Sequence, residues 1–140
     1  MAGEKMKHFV ETRGPSFPKV PANQPLGPFT QTRWQVMCGD EGHWRVGLYS
    51  PGESDISQVR ELERHDCPEF FWLISGRMIL VLSNETGETR QVPLEPGRPI
   101  LVTLPHSGYC PDGPYTGQAL VIEQDEFNTE YRGVADWGDD

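Results

Sequence analysis

Four side chains carry the donor types that hold a metal ion or move a proton. Glu63, His65 and Glu69 lie within the run Glu63-Arg-His65-Asp-Cys-Pro-Glu69, and His106 follows an apolar run at residues 100–104. On a strand, residues two apart share a face, so Glu63 and His65 can project together into one interior. Asp66-Cys67-Pro68 reads as a tight reversal, after which Glu69 opens the next strand beside them. His106 sits where a further strand ends. Imidazole nitrogens and carboxylate oxygens converging in this way are what a first-row divalent ion accepts. The same residues allow a plainer reading, in which His65 and Glu69 hydrogen-bond each other and Glu63 is solvated. Cys67 and Cys110 trail the two histidines by two and four residues, so a His2Cys2 zinc site is a further alternative.

Short strands must position these groups. The chain has 140 residues, enough for one domain, with 15 Gly and 13 Pro. One residue in five is thus a breaker, which argues against a helical bundle or coiled coil. β-prone runs fall at residues 34–38, 44–49, 56–63, 69–75, 77–82, 90–94, 100–104 and 118–123, with turn residues between them. That spacing predicts an all-β sandwich or small barrel. Residues 105–117 read as a Pro/Gly-rich loop, and the stretch from 124 to the end as an acidic tail anchored by Phe127, Tyr131 and Trp137. At the other end, Pro15, Pro18, Pro21, Pro25 and Pro28 exclude a helix and favour extended backbone. Phe9, Val10, Phe17 and Phe29 make residues 1–30 an arm able to pack along the domain or onto a second subunit. Trp72 and Phe70 face opposite to Phe71, and in a two-sided apolar strand both sets are expected in a core.

The run around His65 resembles the first motif of the cupin superfamily, G-x5-H-x-H-x3,4-E-x6-G. His65, three residues, Glu69, six residues and Gly76 reproduce its second half without a gap. The second motif, G-x5-P-x-G-x2-H-x3-N, is matched more loosely by Leu94-Glu-Pro-Gly97 and Pro105-His106. Three positions depart from the pattern. Glu63 replaces the first histidine, Ser57 stands at the first glycine, and a shortened hairpin would align Gly108 with the ligand position unless a gap brings in His106. The resemblance implies a double-stranded β-helix, or jelly-roll barrel, over residues 31–125. It would be preceded by the Pro-rich arm 1–30 and followed by the acidic tail 126–140. It also implies metal ligands at His65, Glu69 and His106, with Glu63 as a fourth ligand or general base. That Glu2His2 set is more oxygen-rich than the family's usual one and leans toward Mn, Fe or Zn.

Composition narrows the partners. The formal charge is −9, and it is unevenly spread. Lys5, Lys7, Arg13, Lys19 and Arg33 face only Glu4 and Glu11 up to residue 36, whereas seven Arg meet nineteen acids beyond it. An acidic body is a poor match for phosphate backbones, so nucleic acid is not expected. No run of about 18 apolar residues exists to span a membrane. The start lacks the apolar stretch of a signal peptide, and three cysteines without a Cys-x-x-Cys fit reduced thiols, so the expected setting is cytoplasmic. Inward-pointing arginines among Arg45, Arg60 and Arg77 could clamp an anionic ligand. The leading expectation is a homodimeric, metal-dependent enzyme of dioxygenase, isomerase or lyase type acting on a small polar organic molecule. The alternatives are a non-catalytic small-molecule sensor with a degraded metal site and a sugar-nucleotide ketoisomerase. Fold does not choose among them.

Overall fold

The computed structural model describes residues 8–12 and 23–138. Eleven strands are found there: β1 His8–Thr12, β2 Trp34–Asp40, β3 Trp44–Tyr49, β4 Glu61–His65, β5 Glu69–Ser75, β6 Ile79–Ser83, β7 Thr89–Pro93, β8 Ile100–Val102, β9 His106–Tyr109, β10 Gln118–Gln124 and β11 Phe127–Gly133. They form two sheets with every neighbouring pair antiparallel. The six-stranded sheet has the order β1-β11-β4-β9-β6-β7, and the five-stranded sheet β2-β3-β10-β5-β8. Consecutive strands alternate between the sheets along much of the chain, as a jelly roll requires. The all-β expectation therefore holds.

Period-2 alternation divides the apolar residues between two cores. Phe71 and Leu73 on β5, Leu80 and Leu82 on β6, Val102 on β8, and Ala119 and Val121 on β10 meet between the sheets with Met78 and Leu94. Val81 points the other way. It joins Val59, Leu62, Tyr109 and Trp137 in a second cluster on the outer face of the six-stranded sheet. The chain's last turn thus covers that sheet, and Arg64 and Arg132 lie 5.2 and 4.9 Å from the Trp137 ring. Gly76 turns β5 into β6 with φ +70°, and a Cβ there would meet Thr116 O at 2.1 Å.

Several elements differ from the sequence reading. The presumed loop 105–117 contains β9, four residues between Pro105 and the turn at 110–113, too short to show a period. The region read as an acidic tail supplies β11, which pairs with β4 on one side and β1 on the other. Its alternation is hidden because Thr129, Glu130 and Arg132 are polar and yet buried. Residues 56–63 divide into a 3-10 turn at Ile56–Gln58, capped by the Asp55 carboxylate, and β4. In the arm, residues 8–12 form β1, while 1–7 and 13–22 lie outside the described residues. Trp72 is not in a core; it stands on the outer face of β5.

Candidate metal centre

The register of the strands brings the four candidate donors to one point. Glu63 and His65 share the inner face of β4, and Glu63 pairs directly with His106 at the start of β9. Glu69 opens β5 in the opposite sheet and reaches across the gap between them. One donor atom from each of Glu63, His65, Glu69 and His106 lies within 4.8 Å of the others. Glu69 Oε1 is 2.6 Å from His106 Nε2 and 2.9 Å from His65 Nε2, and Glu63 Oε1 is 3.3 Å from His65 Nε2. His106, and not Gly108, therefore occupies the position nearest the cluster. Gly108 sits two residues on, opposite Leu80. Neither Cys67 nor Cys110 belongs to the group; both are buried free thiols.

Each imidazole is oriented from behind. His106 Nδ1 donates to the Leu104 carbonyl at 2.9 Å, which directs Nε2 at Glu69, as a donor while the ring is charged and as a free lone pair once it is neutral. His65 Nδ1 lies 2.8 Å from Thr129 Oγ1 on β11. Phe127 stands against the His65 ring at 4.6 Å and Phe71 against His106 at 5.7 Å. Anchoring the distal nitrogen in this way is the usual means of presenting a histidine to a metal.

Burial and charge set the protonation of the group. Burial alone would lower His65, but hydrogen bonds and charge from Glu63 and Glu69 push it up to about 10. His106 is raised as well, its desolvation outweighed by Glu69 and then Glu63. Burial opposes ionisation of Glu69, yet the two imidazoles hold it well below the usual carboxylate range. Glu63 is lowered for the same reasons, chiefly by His65 and His106 against its burial. Without a cation, the four groups are an ion-paired cluster.

A fifth carboxylate was not apparent from the sequence. Glu123 lies on β10, one residue beyond the Ile122–Phe70 pair, which sets it beside Glu69. Its Oε2 accepts from Arg45 Nε at 2.8 Å and from Nη2 at 2.7 Å, while Oε1 is buried without a hydrogen bond. Burial, followed by the close approach and charge of Glu69, pushes Glu123 up to about 8. The guanidinium of Arg45 lies 5.4 Å from the Trp34 ring and 5.1 Å from Phe127. The available signal was an acid in the inward register of an apolar strand, after Ala119 and Val121. Of the other two arginines considered from sequence, Arg60 is exposed at a cavity mouth and Arg77 pairs with Asp112 on the surface.

Two cavities open on the cluster. One, of about 270 Å³, is bounded by Arg45, Tyr49, His65, Glu69 and Glu123; the other, of about 350 Å³, by Glu53, Arg60, His106 and Ser107. Arg33, Glu63 and Tyr131 line both. The Glu63 side chain is 35% exposed, against 6% for His65, Glu69 and His106. Tyr131 shares a hydrogen bond with Glu63, and its hydroxyl is raised to about 12, by burial first and that carboxylate second.

The donor set fits a divalent ion. Two imidazole Nε2 atoms with engaged Nδ1 partners face two carboxylates at 2.6–3.3 Å. His65, Glu69, His106 and Glu63 are the residues able to hold it.

No protein-family model matches the chain, and no curated protein is significantly similar to it. Solved structures are similar in fold. Hydroxypropylphosphonic acid epoxidase from S. wedmorenis, in complex with fosfomycin, is 14% identical with a TM-score of 0.51 over 76% of this chain. This chain spans only 57% of that enzyme's length. An iron(II) form of the epoxidase with substrate gives 13% identity and a TM-score of 0.50, covering 80% of this chain and 62% of the enzyme. A cupin-2 domain protein from Shewanella frigidimarina is 13% identical, with a TM-score of 0.47 over 65% of this chain and 78% of its own. At such identity the likeness is one of fold, the double-sheet jelly roll that this chain shares with the epoxidase.

Proposed function

We propose that the chain is a metal-dependent enzyme acting on a small polar organic molecule held in the cup between the sheets. The observation that carries this reading is the convergence of four donors whose supporting contacts are already made. His65, Glu69 and His106 hold the ion. Bound there, a divalent cation would polarise a substrate oxygen or acidify a bound water. Glu63 is the donor that substrate can touch, because it alone is substantially exposed and borders both cavities. Its carboxylate, ionised across the neutral range, is placed to accept a proton from the bound molecule, with Tyr131 orienting it. Arg33, beside Glu63 at the junction of the cavities, orients the polar end of the ligand.

A second reading has its own observation. The Nε2–Oε1 distances of 2.6 and 2.9 Å are hydrogen-bonding distances, as in a cluster closed on itself in a non-catalytic binding protein. Metal content separates the two. Protein purified without chelator is expected to carry near-stoichiometric Mn, Fe or Zn, measured by plasma mass spectrometry, and His65→Ala and Glu69→Ala are expected to lose it. Metal-free wild-type protein that also takes up none of these ions in equilibrium dialysis would overturn the enzyme reading.

A further inference from the structure

The two outer faces of this fold are unequal. Leu62, Val81 and Tyr109 on the six-stranded sheet lie under Val59 and Trp137 of the same chain. The five-stranded sheet has no such cover among the described residues. Its outward positions form two apolar rows fixed by strand register. Val46, Ile122, Phe70 and Leu101 run across β3, β10, β5 and β8, and Leu48, Leu120 and Trp72 run beside them. Trp44 and Ile74 extend the rows at opposite ends. Trp44, Trp72, Ile74, Leu101 and Ile122 are between 40% and 63% exposed. The inward partners of the same strands include Arg45, Glu69 and Glu123, so the usual polarity of a half-buried sheet is reversed at this end. An apolar surface of this extent on a soluble chain marks a contact face.

We infer that the outer face of the five-stranded sheet packs against the same face of a second copy, forming a two-fold dimer. An isologous contact must be self-complementary, and an uncharged apolar surface always is. The chain carries a formal charge of −9, so most of its surface repels a second copy. The outward positions of these five strands carry one charged group, Asp40, at the hairpin corner. The area is also sufficient. Five strands about 4.8 Å apart, four of them six or seven residues long and β8 three, give a flat footprint on the order of 500 Å². With side-chain relief, that approaches the roughly 800 Å² per partner of a standard interface. Large aromatic and branched residues occupy its centre, where binding energy concentrates. The face lies opposite the cup wall, so pairing would leave both cavities open.

The test is sedimentation and light scattering of the full chain at micromolar concentration, for wild type, Trp72→Glu, Leu101→Glu and a chain lacking residues 1–22. The wild type is expected at twice the 15.8 kDa chain mass. Each face variant is expected to weaken association at least about 30-fold, because a central residue is lost from both copies. Acrylamide quenching of wild-type tryptophan fluorescence, which needs no variant, is expected to increase on dilution as Trp44 and Trp72 become accessible. A wild-type monomer overturns the proposal, whether it stays alone or instead binds lipid vesicles. A dimer kept by folded face variants but lost without residues 1–22 also overturns it and assigns the contact to the arm. None of these outcomes bears on metal content, so the enzyme reading stands or falls separately.

Discussion

His65 and His106 are each held between a partner that fixes the ring and a carboxylate that charges it, and the two demands respond oppositely to protons. In the metal-free protein the raised imidazoles favour the folded state fully below their ordinary value near 6.5. That stabilisation is lost as the pH rises toward about 10, where His65 deprotonates in the folded state. Glu123, held up at about 8, adds loss of the same sign above the ordinary carboxylate range. Glu69 and Glu63 are lowered, so their contribution is present above about 4.5 and is lost as the pH falls. In chelator, the melting temperature is therefore expected to peak near pH 5–6 and to decline steadily to pH 9. His65→Gln should flatten the alkaline decline, and a profile level from pH 6 to 9 in the wild type would contradict the assignment. Metal binding requires neutral imidazoles, so saturating metal should remove the decline as well.

At the scale of elements, β5 shows how a strand can be read correctly and still be misplaced. Its boundaries, the reversal before it and the glycine after it all follow from local residue types, because a positive φ at Gly76 demands a residue without Cβ. Gly76→Ala is expected to cost at least about 2 kcal/mol in a urea melt, since an unfavourable backbone region adds to a collision with Thr116 O. A loss below about 0.5 kcal/mol would mean that the turn relaxes. Which face of β5 meets the core was not legible, because Phe70, Phe71, Trp72 and Leu73 are apolar on both sides. β9 and β11 were illegible for a different reason. Four residues cannot display a period, and β11 buries Thr129, Glu130 and Arg132 because β4 supplies His65 to Thr129 and Arg64 to Glu130, while Arg132 pairs with Glu130 along β11 itself. Glu63, His65 and Glu69 were legible together because a strand, a reversal and a second strand place them within seven residues. Glu123, Arg45 and Thr129 reach the same site through pairings some sixty to eighty residues apart in sequence, which no local pattern encodes.

Across the whole molecule, the candidate donors join its two layers. Glu63, His65 and His106 belong to the six-stranded sheet and Glu69 to the five-stranded sheet, at the margin of the apolar core, where Leu82 pairs with His106 and Phe71 stands against its ring. Elsewhere the sheets are joined chiefly by apolar packing. In the cup, contact between them runs from Glu69 on β5 to His65 and His106 on the six-stranded sheet, with Glu123 and Arg45 paired beside Glu69 on its own sheet. A divalent ion held by these donors would tie the two sheets together across the cup. Ligand at about 100 times its dissociation constant stabilises a folded protein by roughly 2.7 kcal/mol. For a chain of 140 residues, with an unfolding entropy of about 2.1 cal/mol/K per residue, that corresponds to a rise in melting temperature of roughly 9 °C. Manganese, iron(II) or zinc is expected to produce such a rise in wild-type protein at pH 7.5, and excess chelator to reverse it. Glu69→Gln should abolish the response, because it removes the charge of the one donor contributed by the second sheet. Glu123→Gln should retain it, since Arg45 can still bond the amide oxygen. An equal rise in wild type and Glu69→Gln would show the ion binding elsewhere on an acidic surface, and the two layers would then owe nothing to it.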